Sequence, residues 1–173
     1  MIITGGEHKG RKIIAPDERI TRPTLSKVRQ GVFNTLYSMM EDFEEKSFLD
    51  LFGGSGIMGL EALSRGFEEV VVFENNPKIA QILKKNYATL GLKPNLKIGD
   101  SLKLLDKLDK NFDVIYVDPP YYSGVYEEVF SKLSKIDLQG SIIIAEHSEV
   151  LNIPFTPIKE KNYGGKLVSF YAL

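Results

Sequence analysis

The stretch FLDLFGGSG, residues 48–56, joins an apolar strand to a glycine-rich turn. A helix is predicted directly after it, because Ile57, Leu60 and Leu63 recur on one helical face. Glycines in such a turn let the backbone approach a ligand closely. Residues 54–59 also match the G-x-G-x-x-G pattern of dinucleotide-binding turns. The stretch therefore predicts a strand, turn and helix of an α/β fold, with a ligand at the turn.

The acid before this turn distinguishes between two kinds of ligand. Asp50 lies just before the glycines, where a dinucleotide site would have to accept a pyrophosphate. A carboxylate disfavours a phosphate there, whereas it suits a ligand that carries an ammonium and a sulfonium group. S-adenosylmethionine has both cations and no phosphate. The sequence therefore favours S-adenosylmethionine as the cofactor over a nicotinamide dinucleotide.

Two more predicted strands end in acids. Residues 70–74 are an apolar run that closes on Glu74, about twenty residues after the turn, where an acid can accept both ribose hydroxyls of a nucleotide. Residues 96–100 form a shorter strand that closes on Asp100. Acids at the ends of successive strands are expected at the edge of the sheet where open α/β folds bind ligands.

A rigid loop ends a fourth apolar run. Residues 112–117 are predicted to be a buried strand, and the sequence DPPY follows at 118–121. Two prolines cannot donate to a sheet ladder and stiffen the backbone at this point. The Asp118 carboxylate and the free backbone carbonyls can accept the hydrogens of an exocyclic amine, and the Tyr121 ring can stack on a planar group. The loop therefore predicts a binding site for a planar, amine-bearing group.

The order of elements along the chain predicts one mainly parallel sheet. Strands are predicted near 47–52, 69–74, 95–99, 112–117 and 141–146, and helices near 56–66, 76–90, 101–108 and 124–135. This alternation implies right-handed crossovers and a sheet covered on both faces. Two last segments, 158–162 and 167–172, flank a glycine-rich turn and predict a closing hairpin.

The composition is that of an ordinary globular domain. The chain has 173 residues, of which 43% are hydrophobic and 26% charged, and this length suggests one domain. It has no cysteine, and His8 and His147 are far apart, so neither disulfides nor a metal site are expected. No apolar run is long enough to span a membrane, and no signal peptide is evident. We expect a monomeric cytoplasmic protein.

The N-terminal residues 1–45 are predicted to be a basic hairpin and helix that choose the substrate, whereas residues 46–173 form the catalytic core. Segments 2–4 and 12–14 are expected to pair, and a helix over 25–40 is expected to be capped by Thr24. Residues 1–30 carry a net charge of +4, and the remainder carries −5. Such an arm beside a cleft can bind phosphates. The predicted RNA-binding residues are Lys9, Arg11, Lys12, Arg22, Thr24, Lys27, Arg29 and Tyr122.

The chain resembles the RsmD family along nearly its whole length. The matching segments are GG at 5–6, GRK at 10–12, RPT at 22–24, VRQGVFN at 28–34, DLFGGSG at 50–56, LEALSRG at 60–66, DPPY at 118–121 and YG at 163–164. Members are bacterial class I methyltransferases that use S-adenosylmethionine to methylate the exocyclic N2 of one guanine in 16S ribosomal RNA. Gly53 stands where the family usually has alanine.

The resemblance implies a fold and a set of site residues. The implied fold is the Rossmann-like α/β fold of class I methyltransferases, with a seven-stranded sheet, a C-terminal antiparallel hairpin and a small N-terminal hairpin and helix. The implied catalytic residues are Asp118, Pro119, Pro120 and Tyr121. The implied residues for S-adenosyl-L-methionine are Asp50, Phe52, Gly53, Gly54, Gly56, Glu74, Asn75, Asp100, Ser101 and Asp118. The implied partner is ribosomal RNA or the small ribosomal subunit.

Three other functions remain open from the residues alone. A DNA adenine-N6 or other amino-nitrogen methyltransferase uses a related loop. A nicotinamide dehydrogenase shares the glycine turn and Glu74, although it gives no role to residues 118–121. A non-catalytic RNA-binding module could share the fold, although it would not need all the cofactor positions.

Overall fold

A seven-stranded sheet forms the centre of the computed structural model, which describes residues 1–16, 24–120 and 124–172. Its strands are β1 (Ser47–Asp50), β2 (Glu69–Glu74), β3 (Asn95–Ile98), β4 (Val114–Val117), β5 (Ile142–His147), β6 (Lys159–Asn162) and β7 (Leu167–Ala172). They lie in the order β3-β2-β1-β4-β5-β7-β6. Strands β1 to β5 pair in parallel, and β7 pairs antiparallel with β5 and β6. The predicted sheet with its antiparallel closing hairpin is confirmed.

Helices cover both faces of this sheet. They are α1 (Ser26–Met40), α2 (Ile57–Ser64), α3 (Pro77–Thr89), α4 (Ser101–Leu105) and α5 (Val125–Leu133). Alternate strand residues point to opposite faces, so Phe48 and Leu49 enter different hydrophobic clusters. Helices α1 to α3 pack on the Phe48 face, and α4 and α5 pack on the Leu49 face. In the part of the chain that the structure describes, no helix is long and apolar enough to cross a membrane.

One helix is shorter than its predicted range of 101–108. Helix α4 ends at Leu105, and the backbone N–H groups of Lys107 and Leu108 then bond the carbonyls three residues back. Such tighter bonds commonly close the last turn of a helix.

The carboxyl ends of the parallel strands lie along one edge of the sheet, called here the carboxyl edge. Asp50 and Glu74 end β1 and β2, and Asp118 follows β4. The β6–β7 turn lies at the same edge, because Leu167 pairs with His147 at the end of β5. Helices α2 and α3 run back between parallel strands, so their last residues lie at the opposite edge. Ligand-binding groups are therefore expected at the carboxyl edge.

The N-terminal segments pair as the sequence predicts. Ile2 forms a single antiparallel bridge with Lys12, and the Ile3 N–H donates to the Arg11 carbonyl at 3.0 Å. The predicted pairing is therefore confirmed, although it amounts to one bridge rather than two extended strands.

The predicted cap of α1 is wrong. Leu25, not Thr24, occupies the N-cap position, and its side chain makes no capping hydrogen bond. The Thr24 carbonyl instead accepts a hydrogen bond from the Arg29 guanidinium. This bond holds the backbone one residue before the cap, and the helix begins at Ser26 without a capping hydrogen bond from the N-cap side chain.

The N-terminal residues belong to the packed core, so residue 45 is not a boundary in the packing. Apolar side chains from this segment lie in the same cluster as the sheet residues Phe48 and Tyr116. The buried members from the first forty residues are Ile3, Ile13, Val28, Val32, Phe33 and Leu36. The view of this segment as an arm outside the core is therefore wrong, because the apolar face of α1 is needed to cover one face of the sheet.

Candidate active site

Asp50 is a buried carboxylate at the carboxyl edge. Its side chain is only 1% exposed, and Oδ1 accepts a hydrogen bond from the Phe52 N–H at 3.2 Å. Burial raises the pKa of Asp50 to about 7; the Phe52 hydrogen bond opposes this and the nearby Glu74 charge adds to it. Within the described ranges no cation forms an ion pair with Asp50. The position therefore suits a cationic ligand.

Replacement of Asp50 by Asn is expected to stabilise the ligand-free protein above pH 7. In the unfolded chain this carboxyl titrates near pH 4, whereas its pKa in the fold is about 7. The folded state holds the proton between these values, so stability falls as pH rises through that window. The amide carries no charge and still accepts from Phe52, so the variant should gain up to about 4 kcal/mol in unfolding free energy at pH 8.

Urea unfolding at pH 5 and pH 8 measures this gain, which should be much smaller at the lower pH. Asp109→Asn is the matched control, because Asp109 is exposed and its variant should follow the wild type at both values. An Asp50→Asn protein with the same stability difference at both pH values would contradict the pKa of Asp50.

Glu74 and the glycine turn form one hydrogen-bonded unit. Glu74 Oε2 accepts from the Gly54 N–H at 2.8 Å, and Oε1 accepts from the Asn76 N–H at 2.7 Å. Burial raises the pKa of Glu74, and these backbone hydrogen bonds oppose the rise. Each oxygen keeps another lone pair, so the carboxylate can also accept hydroxyl groups of a ligand. Asn75 lies beside it and is exposed.

Two glycines of the turn are required by packing. A Cβ on Gly53 would lie 2.2 Å from Cγ1 of Val72. Gly56 has φ of +79° and a Cβ there would lie 2.8 Å from Cγ of Leu83. The Val72 side chain therefore fills the space that a methyl group at Gly53 would need.

Asp100 and Ser101 have local structural roles at the start of α4. Asp100 is the N-cap residue, and its Oδ1 accepts from the Lys103 N–H at 3.1 Å. The buried Ser101 hydroxyl donates to the Leu51 carbonyl and so ties α4 to the end of β1. Asp100 is exposed and retains a free oxygen, whereas the Ser101 hydroxyl proton is already used.

Asp118 lies in a cluster of charged groups at the carboxyl edge. Nζ of Lys166 is 3.6 Å from Oδ1 of Asp118 and 2.9 Å from Oε1 of Glu146. The Tyr116 hydroxyl donates to the other oxygen of Glu146. Pro119 is buried and Pro120 is exposed. Tyr121 and Tyr122 lie outside the described residues.

Opposing effects set the charge of Asp118. Burial raises its pKa well above the usual range, and the negative charges of Glu146 and Asp50 add to this rise. The Lys166 ammonium, 3.6 Å from Oδ1, opposes it. Asp118 therefore has a raised pKa, as groups at functional sites often do.

Three members of this cluster, Glu146, Lys166 and Tyr116, were not predicted as site residues from the sequence. A signal for Glu146 was present, because it is an acid at the end of the predicted strand 141–146, as Glu74 is at the end of 69–74. Lys166 had no comparable signal, because its approach to Asp118 depends on how the closing hairpin pairs with β5.

Similarity to known proteins identifies the family. A family model with the description "Conserved hypothetical protein 95", which is the RsmD family, matches residues 1–172. The chain belongs to this family. The Ribosomal RNA small subunit methyltransferase D of Escherichia coli (strain K12) is 36% identical to it, over 90% of this chain and 78% of the relative.

Solved structures show the same fold as this RsmD family chain. A hypothetical protein from Thermus thermophilus superposes with a TM-score of 0.84 and 26% identity, over 100% of this chain and 99% of that one. The rRNA methyltransferase aviRa from Streptomyces viridochromogenes gives a TM-score of 0.70 and 14% identity, over 86% and 85%, and shows the fold alone. The fold is that of class I methyltransferases.

Arg29, which was predicted to bind RNA in this RsmD family chain, is buried instead. Its side chain is 1% exposed, and Nε lies 3.0 Å from Oε1 of Glu61 on α2. Nη2 donates to the Ile2 carbonyl at 2.7 Å, and Nη1 donates to the Thr24 carbonyl. The prediction is wrong, because buried protein acceptors occupy the guanidinium and leave no path to a phosphate.

The basic N-terminal hairpin lies away from Asp118. Arg11 Nη2 donates to the carbonyl of Thr89, the last residue of α3, at 3.0 Å. The Glu7 N–H donates to the carbonyl of Ser64, the last residue of α2, at 2.7 Å. Both helix ends lie at the edge opposite the carboxyl edge, so Lys9, Arg11 and Lys12 do not flank the Asp118 cluster. Their predicted place beside the cleft is wrong, although phosphate binding by their exposed side chains stays a prediction.

The start of α1 lies closer to the site. Gly31, in its second turn, packs against Tyr163 of the β6–β7 turn, so this end of the helix reaches the carboxyl edge. Lys27 is exposed and Thr24 is half-buried there. RNA contacts by these two residues stay predictions, and Arg22 lies outside the described residues. In the described part of the chain, no group of His, Cys, Asp or Glu could hold a metal ion.

Proposed function

We propose that this chain uses S-adenosylmethionine to methylate the exocyclic N2 amine of a guanine in small-subunit ribosomal RNA. The observation that carries the proposal is the placement of Asp118, on a rigid Pro-Pro loop, at the same sheet edge as the buried carboxylates Asp50 and Glu74. The relative named Ribosomal RNA small subunit methyltransferase D supports the RNA substrate. The protein is expected to act as a monomer in the cytoplasm.

The residues at the carboxyl edge fit the charges of this cofactor. Asp50 is a buried carboxyl group with no cationic partner among the described residues, so a cationic ligand would stabilise its ionised form. Glu74 is fixed by two backbone N–H groups and keeps lone pairs for ribose hydroxyls. The free oxygen of Asp100 can accept from the adenine amine. When bound, the cofactor supplies an electrophilic methyl group on its sulfonium.

The Asp118 loop is suited to activate the amine. Guanine N2 is a poor nucleophile, because its lone pair is delocalised into the ring. Acceptors for both of its hydrogens, the Asp118 carboxylate and the Pro119 carbonyl, favour a tetrahedral nitrogen whose lone pair is available. Holding two reactants in this geometry can supply up to roughly 7–11 kcal/mol of the barrier. After transfer, the N2 proton passes to Asp118 or to water.

The base must be presented outside a helix for this chemistry. An amine within a stacked duplex cannot reach Asp118, so the guanine comes from an unpaired loop or is turned out of its helix. Stacking on Tyr121 is expected to contribute on the order of 1–3 kcal/mol, as it does for bases bound to aromatic side chains.

Transfer of a tritiated methyl group tests the proposal directly. The acceptors are unmodified small ribosomal subunits, naked ribosomal RNA, a DNA duplex with adenines, and bulk protein. Label is expected in ribosomal RNA or the subunit, and nucleoside mass spectrometry should find it in N2-methylguanine. Label in DNA adenine would instead identify an adenine methyltransferase. Calorimetry that shows NADH binding without binding of S-adenosylmethionine would refute the methyltransferase function.

A further inference from the structure

One lysine is shared between Asp118 and a second, deeper carboxylate. Nζ of Lys166 lies 2.9 Å from Oε1 of Glu146 and 3.6 Å from Oδ1 of Asp118. We propose that Lys166 is a positioning residue that keeps Asp118 ionised and directed at the amine, and that Glu146 holds the lysine in place. The inference rests on the proposed function, because Asp118 must accept hydrogens from a substrate for its charge to matter.

Glu146 is placed to act through Lys166 rather than on the substrate. It is 2% exposed, and both of its oxygens have a donor, Lys166 at Oε1 and the Tyr116 hydroxyl at Oε2. Tyr116 is itself buried and stacks on Phe48, with ring centroids 6.4 Å apart. A carboxylate so enclosed cannot contact a nucleotide. Its negative charge and its fixed position therefore serve to attract the lysine ammonium.

The backbone that carries Lys166 is also held in place. The Tyr163 N–H donates to the Lys166 carbonyl at 2.8 Å and closes the β6–β7 turn. Tyr163 packs against α1 so closely that a Cβ on Gly31 would lie 1.9 Å from its hydroxyl oxygen. Contact with α1 and pairing with β5 thus fix the turn from two sides, and the lysine reaches the cluster from a defined point.

The charges around Asp118 make this lysine important. The groups that act on it are Asp50 from β1, Tyr116 from β4, Glu146 from β5 and Lys166 from the turn before β7. Of these, two are carboxylates, and Lys166 is the one cation among the described residues of this cluster. Burial and both carboxylates favour the neutral acid, which would accept hydrogens poorly. Lys166 opposes them and so favours the carboxylate that the reaction uses.

The test is the pH dependence of single-turnover methyl transfer, with saturating S-adenosylmethionine and an RNA substrate, between pH 6 and 9. The rate of the wild type should rise with pH as Asp118 ionises. In Lys166→Met the rise should move to higher pH. At pH values below the rise, its rate should be at least about tenfold under that of the wild type, the effect of a one-unit change in pKa. The ratio to the wild type should recover toward pH 9. Lys166→Arg should retain most of the wild-type profile.

Lys161→Met is the matched control, because Lys161 lies in the same hairpin and is outside the Asp118 cluster. Its ratio to the wild type should be constant across the pH range. If Lys166→Met fails to fold, Lys166→Gln provides the same loss of charge with a polar side chain. A rate deficit that is equal at every pH, in either neutral variant, would mean that Lys166 only supports the fold, and would overturn the inference.

The outcomes separate this inference from the proposed function. The proposed function would be refuted if the wild type transferred no methyl group, or if Asp118→Ala transferred it at the wild-type rate. If methyl transfer requires Asp118 but the pH–rate profile of Lys166→Met is parallel to that of the wild type, only the role of Lys166 is refuted.

Discussion

Replacement of Asp118 by Ala is expected to lower the rate of methyl transfer by at least about a hundredfold, the lower range for loss of a positioned proton acceptor. In the proposed reaction this carboxylate accepts hydrogens from the amine and lies beside the reacting nitrogen. Cofactor affinity should change little, because Asp50 and Glu74 are the residues proposed to make the main cofactor contacts. Single-turnover kinetics and calorimetry measure the two effects separately.

The fold should survive this change. Asp118 is one of two carboxylates that share Lys166, and the lysine retains Glu146 at 2.9 Å after the substitution. Asp109→Ala, at an exposed position outside the site, is the matched control and should keep wild-type activity. Asp118→Asn preserves the shape of the side chain and one acceptor oxygen but cannot take a proton. Its rate should therefore lie between those of Asp118→Ala and the wild type. Near wild-type turnover in Asp118→Ala would refute its catalytic role.

The sequence was sufficient to predict the parallel sheet and much of the carboxyl edge. The periodicity of apolar residues is a local property, so β2 is observed at Glu69–Glu74, which is the predicted range. Parallel strands bring their carboxyl ends to one edge, so the acids Asp50 and Glu74 could be placed together without knowledge of their contacts. Helix ends were less predictable: Leu25 rather than Thr24 is the N-cap of α1, and the Thr24 carbonyl accepts from Arg29, whose side chain is paired with Glu61 on α2.

The sequence was insufficient where a charge depends on a partner from another element. Arg29 and Lys27 are two cations on the same helix, and only the fold shows that the first is buried against Glu61 while the second is exposed. A count of charges in the sequence treats both side chains as available to bind RNA. Lys166 was missed for the same reason, because its partner Asp118 follows β4, which lies two positions from β7 in the sheet.

Replacement of Arg29 by Ala is expected to lower the free energy of unfolding by about 3–5 kcal/mol, the cost of removing one partner from a buried ion pair. Glu61 is fully buried, and its Oε1 also accepts from the Thr4 N–H and hydroxyl, both at 2.8 Å. Its Oε2 accepts from Arg65. Loss of Arg29 removes one of the positive charges beside the Glu61 carboxylate. It also leaves the Ile2 carbonyl without the Arg29 hydrogen-bond donor. Urea unfolding at neutral pH measures the loss.

Two comparisons make the test specific for the buried pair. Lys27→Ala removes a charge from the exposed side of the same helix and should change stability by no more than about 0.5 kcal/mol. Arg29→Met combined with Glu61→Gln removes both charges, so its loss should be smaller than the sum of the two single losses. If Arg29→Ala instead left stability unchanged and lowered the salt dependence of RNA binding by about one unit, Arg29 would bind phosphate. The buried network joins Ile2, Thr4 and Thr24 to α2, so we expect Arg29 to act by fastening the N-terminal segment to the catalytic fold.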